Sequence, residues 1–100
     1  MKIRIRVTDE HIRLGCRGDT LRCPVARAIT ARFSPQANIV VNVYKGAVSL
    51  RLGPLKEHWS PLSKRVQDWI EDYDYDPSSG VCQPFQFMLN IPDSCKEYTR

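Results

Sequence analysis

The sequence predicts an α+β domain of the ferredoxin-like βαββαβ type, with a four-stranded antiparallel sheet and two helices on one of its faces. Two observations carry this prediction. Stretches that alternate apolar and polar residues occur at both ends of the chain and on either side of Lys45-Gly46. Two stretches with helical apolar spacing, each opened by a proline, separate them. The predicted order is strand, helix, strand, strand, helix, strand.

The predicted strands follow from period-two alternation. The first covers residues 2–7, where apolar residues share one face and basic residues the other: Ile3, Ile5 and Val7 against Lys2, Arg4 and Arg6. The next two form a hairpin within residues 38–52, with Lys45-Gly46 as its turn. Its apolar positions are Ile39, Val41, Val43, Val48, Leu50 and Leu52. The last strand covers residues 85–91, and its apolar residues are Phe85, Phe87, Leu89 and Ile91.

The helices follow from capping residues and prolines. Thr8-Asp9 favours a short helical turn, and Cys23-Pro24 favours a helix that stops at Ser34-Pro35. Ser60-Pro61 predicts the start of a second long helix, with an apolar stripe of Leu62, Val66, Trp69, Ile70 and Tyr73. We expect a loop at residues 74–80.

Length and composition bound the class of protein. One hundred residues suffice for one compact domain, which we expect over residues 1–92, with a frayed polar tail at residues 93–100. The chain contains no apolar run long enough to cross a membrane and no secretory signal, so we expect a cytoplasmic protein. The net charge of +4 is compatible with an anionic partner.

The basic residues suggest a binding surface. In the predicted sheet the first and third strands are central, and their helix-free face collects the candidate binding residues Lys2, Arg4, Arg6, Tyr44 and Arg51. Such a face fits phosphates or an acidic protein surface. The stacking aromatics of single-stranded RNA readers are missing there, except for Tyr44. A solvated face, or one covered by a second copy in a homodimer, is the alternative.

The acidic residues cluster at the opposite end of the chain. Glu71, Asp72, Asp74 and Asp76 lie at the end of the predicted second helix, where the helix dipole disfavours them. This placement suggests contact with a basic partner, although a solvated loop is the simpler reading. The run begins like a calcium loop, but its later positions break the pattern.

The four cysteines, Cys16, Cys23, Cys82 and Cys95, are expected to be reduced thiols. A disulfide is one alternative, and a zinc site is another, although no close pair of ligands supports it. Cys23, at a helix N-terminus, is a candidate reactive thiol, but packing or capping is the commoner role. We therefore expect no metal and no cofactor.

No motif indicates catalysis. Gly15 and Gly18 match neither a dinucleotide fingerprint nor a P-loop, and no nucleophile or acid-base pattern is present. We expect a protein that is not an enzyme. Arg17-Gly18-Asp19 spells an adhesion tripeptide that occurs by chance.

Several short motifs resemble a group of small phage and mobile-element proteins. They are Arg17-Gly18-Asp19, Cys23-Pro24-Val25-Ala26, the stretch from Trp69 to Asp74, and Pro84-Phe85-Gln86-Phe87 followed by Leu89. The group commonly has a cysteine where Thr20 stands, so this chain lacks its C-x-x-C pair. The resemblance spans about residues 3–92 and implies a phage-like setting, with no assigned activity.

Taken with the basic face, the resemblance suggests a binding protein that acts on a host protein or nucleoprotein complex, or on its nucleic acid. An inhibitor of host defence, such as an anti-CRISPR protein, has this character. The alternatives are a homo-oligomeric interaction module and, less favoured, a small thiol or metal protein built on Cys16 and Cys23.

Overall fold

The computed structural model describes residues 1–76, 80 and 82–100. The described elements are five strands, three α-helices and two 3₁₀ helices. In chain order they are β1 (Lys2–Val7), α1 (Asp9–Leu14), α2 (Pro24–Thr30), a 3₁₀ helix (Pro35–Ala37), β2 (Val40–Val43), β3 (Ala47–Gly53), β4 (Lys56–Pro61), α3 (Lys64–Tyr75), β5 (Phe85–Asn90) and a second 3₁₀ helix (Asp93–Tyr98).

The described strands form two separate antiparallel sheets. β1 pairs with β5, so that Ile3 lies opposite Leu89 and Ile5 opposite Phe87. β2, β3 and β4 form a meander with β3 in the middle. Tyr44 closes its first turn by donating its backbone N–H to the carbonyl of Ala47 at 2.9 Å.

The prediction of a single four-stranded ferredoxin-like sheet is therefore wrong. The reason is β4, which the sequence analysis did not predict. β4 pairs along the edge of β3 that the predicted fold would leave for the first strand. With that edge occupied, β1 pairs only with β5, and the hairpin belongs to a different sheet.

The first two helices begin where the capping residues predicted. The Thr8 hydroxyl caps α1 by accepting the backbone N–H of His11, and Nδ1 of His11 accepts the Thr8 backbone N–H at 3.1 Å. Cys23 caps α2 through its Sγ, which accepts the Ala26 N–H at 3.4 Å, and Pro24 takes the first helical position. α2 ends at Thr30, earlier than its predicted stop at Ser34-Pro35.

The start of α3 differs from the prediction. Ser60 and Pro61 belong to β4, and the N-cap is Ser63, whose hydroxyl accepts the Val66 N–H at 3.4 Å. α3 then extends through residues 74 and 75, which were predicted as loop. Asp76 of that predicted loop is the C-cap of α3, and its residues 77–79 lie outside the described residues.

One core joins the two sheets and the helices. It contains the fully buried side chains of Ile5 from β1, Val25 and Ile29 from α2, Leu50 from β3, and Leu89 from β5. All of them lie on the apolar faces that the alternation and the helical spacing indicated.

The C-terminal segment, which the sequence analysis expected to fray, packs against the body of the protein. Cys95, in the second 3₁₀ helix, is fully buried. The backbone of Ser34 donates to the carbonyl of Tyr98 at 2.7 Å, and Arg100 donates to the carbonyl of Arg32 at 2.8 Å. This contact holds Arg32 close to the chain's end. None of the described helices is long and apolar enough to cross a membrane.

Candidate functional site

The outward face of the β1–β5 sheet is basic. Lys2, Arg4 and Arg6 are all exposed because the alternate positions of β1 enter the core. They lie opposite Asn90, Met88 and Gln86 of β5, respectively. Within the described part of the chain, no carboxylate lies within 4.0 Å of the side-chain nitrogens of these three residues. Three cations thus line one face of a single strand without internal neutralisation.

Arg32, which follows α2, adds a fourth cation to this surface. Its Nη1 donates to the carbonyl of Arg4 at the free edge of β1, and its Nε donates to the main-chain oxygen of Arg100 at 2.9 Å. The side chain therefore lies across the edge of the basic strand. Because both bonds go to main-chain oxygens, they fix the guanidinium at the edge of the strand without using an acidic side chain.

These arginines line an open groove, here called the arginine groove, of about 610 Å³. Its lining contains three arginines, one histidine and no carboxylate: Arg4, Arg6, Thr8, His11, Ala28, Ala31, Arg32 and Met88. A surface of this composition favours anions, and the planar guanidinium fork is suited to phosphate oxygens.

A second groove adjoins the arginine groove and shares His11 and Ala31 with it. Three more arginines line it, Arg22, Arg27 and Arg100, and Glu10 is the one acidic side chain in the lining. Arg22 is also paired with Asp19, with 3.5 Å between Nη1 and Oδ2. The Nε of Arg27 donates to the carbonyl of Arg22 at 3.2 Å, and the Nε of Arg100 donates to that of Ala31 at 3.1 Å. We call the two grooves together the cationic belt.

His11 lies at the junction of the belt and is held by α1. Burial lowers the pKa of His11 below its usual value, against the opposing effect of nearby Glu10. The Nδ1 atom accepts the Thr8 backbone N–H, which also requires that nitrogen to be unprotonated. His11 is therefore neutral near pH 7, and the belt owes its charge to arginine.

The structure separates two of the predicted binding residues from the other three. Tyr44 and Arg51 belong to the β2–β3–β4 sheet, so the five residues do not share one sheet face. Arg51 is also paired with Glu57 across β3 and β4, with 3.5 Å between Nη2 and Oε2. Its charge is thus partly neutralised within the chain.

The outward face of the β2–β3–β4 sheet carries an aromatic pair that the sequence analysis missed. The rings of Tyr44 and Trp59 lie 5.4 Å apart between centroids, tilted by 36°. The Nε1 of Trp59 donates to Oε1 of Glu57 at 2.7 Å. Hydrogen bonds from Ser49, Trp59 and Arg51 hold the pKa of Glu57 below its usual value, so this carboxylate is ionised at neutral pH. We call these two rings, with Arg51 and Glu57, the aromatic face.

The predicted acidic contact is divided between a structural and an exposed part. Oδ1 of Asp74 accepts the backbone N–H of Gly18 at 2.9 Å and so holds a glycine whose φ is +70°. Glu71 and Asp72 are exposed, and Asp76 is half-buried. Glu71 and Asp74 also line a pocket of about 360 Å³ beside Tyr44. That end of the molecule is acidic.

Three of the four cysteines, Cys23, Cys82 and Cys95, are buried free thiols, and Cys16 is exposed. Burial raises the pKa of Cys23, and the thiols of Cys82 and Cys95 are shifted in the same direction by the same cause. Cys23 caps α2, the role that the sequence analysis favoured, and desolvation outweighs the effect of the helix N-terminus on its thiol. Among the described residues, no group of three or more potential ligands is positioned to hold a metal ion.

Comparison of the chain with family models, with curated proteins and with solved structures finds no match. The resemblance to phage and mobile-element proteins therefore stays a prediction.

Proposed function

We propose that the protein is a non-enzymatic binding protein that contacts the phosphate backbone of a nucleic acid, free or within a nucleoprotein, through the cationic belt. The arginine groove is the observation that carries this proposal: it combines three arginines with no carboxylate in its lining. A partner with closely spaced negative charges matches that surface.

The anchoring of the arginines supports the same proposal. Arg27, Arg32 and Arg100 each use their Nε–H on a main-chain oxygen of the chain. A side chain that is already ordered loses less conformational entropy when it binds. The terminal nitrogens can then reach phosphate oxygens as bidentate donors.

Charge reversal on β1 tests the proposal. The variant carries Arg4→Glu and Arg6→Glu, and the matched control carries Arg13→Glu and Lys96→Glu. The control residues are also exposed, line neither groove, and give the same change in net charge. Fluorescence anisotropy with labelled single- and double-stranded oligonucleotides measures binding.

We expect the β1 variant to lose at least about tenfold in affinity for the oligonucleotide that wild type binds, because phosphate contacts supply most of the affinity. The control should lose about threefold or less, which is the effect of net charge alone. An equal loss in both variants would place the contact outside the belt. If wild type binds neither oligonucleotide, phosphate recognition is the wrong function.

The cellular target is proposed from the phage resemblance alone. In that setting the nucleic acid would belong to a host nucleoprotein, and occupation of its phosphate-facing surface would inhibit or regulate it. Light scattering tests the alternative of a homo-oligomeric module: a salt-resistant dimer without affinity for oligonucleotides would favour it over the proposal.

A further inference from the structure

We infer that the aromatic face is a stacking platform for unpaired nucleobases, so that the nucleic acid bound by this protein is single-stranded. This inference rests on the proposed function and specifies its ligand. It depends on a different sheet and on different side chains from those of the arginine groove.

The two rings are available to a ligand. Tyr44 is 44% exposed and Trp59 is 51% exposed, although both are large aromatic side chains on a folded sheet. Trp59 lies opposite Ser49, a small residue that is itself buried beneath the surrounding side chains. Half-exposed, adjacent rings provide the flat apolar surface on which bases stack in proteins that bind single strands.

The platform is held in place before any ligand arrives. Glu57 accepts the indole N–H of Trp59 on one oxygen and pairs with Arg51 through the other. The indole orientation is therefore fixed by a charged hydrogen-bond network. The same network occupies the carboxylate of Glu57, so this acid is less able to repel a phosphate.

The surroundings of the platform select a negatively charged ligand. Lys45 follows Tyr44 in the turn and is exposed. No carboxylate of the described residues pairs with Lys45 within 4.0 Å. A hydrophobic protein partner would gain nothing from this cation, whereas a strand that stacks its bases also presents a phosphate to it.

The platform is continuous with the cationic belt. Val40 lies opposite Arg51 on the aromatic face and also lines the second groove of the belt. The hydroxyl of Thr20 donates to Oδ1 of Asn42 at 3.0 Å, which holds the loop before Arg22 against the same sheet. Beyond Tyr44 and Lys45, the pocket that they border contains three carboxylates, those of Asp19, Glu71 and Asp74, which disfavour phosphates there. A strand can therefore run from the arginine groove to the aromatic face and stop there.

The test separates the contribution of base stacking to the affinity from that of phosphate contacts. Anisotropy titrations use labelled oligothymidylate of about 12 nucleotides, a length within the usual range for small single-strand-binding domains. The comparison ligands are an abasic strand of the same length, which keeps the phosphates, and a duplex of the same length. The variant is Trp59→Ala, and Trp59→Phe is the matched control that keeps a ring.

We expect Trp59→Ala to lose at least about fivefold in affinity for oligothymidylate, the lower limit for loss of one stacked base. Its affinity for the abasic strand should change by less than about twofold, because that ligand makes phosphate contacts only. Trp59→Phe should recover most of the affinity, which also shows that the loss does not come from misfolding.

The two proposals fail differently. The inference of a stacking platform is wrong if wild type binds oligothymidylate and the abasic strand with equal affinity, or if Trp59→Ala lowers both affinities to the same extent. In either case the proposal of phosphate binding stands. A duplex bound as tightly as the single strand would also overturn the platform. If wild type binds none of the three ligands, the phosphate-binding function itself is wrong.

Discussion

Replacement of Ser60 by alanine should stabilise the protein, and the sign of this effect distinguishes the observed fold from the one that the sequence predicts. Ser60 is 1% exposed, and its hydroxyl has no hydrogen-bond partner among the described residues. A buried polar group without a partner costs about 1–3 kcal/mol of desolvation free energy. Removal of the hydroxyl releases most of that cost and leaves only a small void.

We therefore expect Ser60→Ala to raise the free energy of unfolding by about 1 kcal/mol, equivalent to a rise in Tm of about 4–8 °C for a domain of this size. Ser63→Ala is the matched control, because Ser63 caps α3 in the structure. Its loss should lower the free energy of unfolding by about 0.5–2 kcal/mol. Thermal and urea unfolding followed by circular dichroism measure both changes.

The predicted ferredoxin-like fold gives a different pair of outcomes. There Ser60 is the cap of the second long helix, so its replacement by alanine would destabilise the protein, while Ser63 would lie inside the first helical turn. A loss of stability in Ser60→Ala together with an unchanged Ser63→Ala would refute the placement of β4. The aromatic face depends on the same strand and would then lose its basis.

Two further predictions concern titratable side chains. Folding lowers the pKa of His11, so the unfolded chain binds more protons at this residue than the native state does at pH values below about 7. The free energy of unfolding should therefore fall as the pH drops from about 7 through the pKa of the native state. Urea unfolding at a series of pH values should show this loss in wild type and not in His11→Gln. Thiol titration of the native protein near pH 8 should modify Cys16 rapidly, since it alone of the four cysteines is exposed. Cys23, Cys82 and Cys95 should react only after unfolding, because burial raises their pKa. Rapid modification of the Cys16→Ser variant would contradict the burial of these three thiols.

Local signals in the sequence predicted most of the elements. The caps at Thr8 and Cys23, the hairpin turn and the alternation of β1 and β5 each depend on a few neighbouring residues, and each is found in the structure. β4 could not be predicted in this way. Its sequence, KEHWSP, places Glu57 and Trp59 outward and only His58 and Ser60 inward, so it lacks the apolar alternation that marks a strand.

The candidate site was harder to predict, because two of its parts come from contacts between distant residues. Arg32 follows α2, and its orientation is set by the main-chain oxygens of Arg4 and Arg100. Trp59 joins Tyr44 only because β4 pairs with β3. The basic face of β1 was recognisable from alternation alone, since a strand with one buried face must expose every second residue.

The salt dependence of oligonucleotide binding tests the central claim, that the cationic belt binds phosphates, most directly. The logarithm of the association constant for oligothymidylate is plotted against the logarithm of salt concentration for wild type, for Arg4→Gln with Arg6→Gln, and for Arg13→Gln with Lys96→Gln. Each phosphate contact contributes about −0.7 to the slope for a single strand. We predict that the β1 variant has a slope shallower than wild type by about 1.4, the sum for two lost contacts, while the control keeps the wild-type slope. An unchanged slope in the β1 variant would contradict the claim.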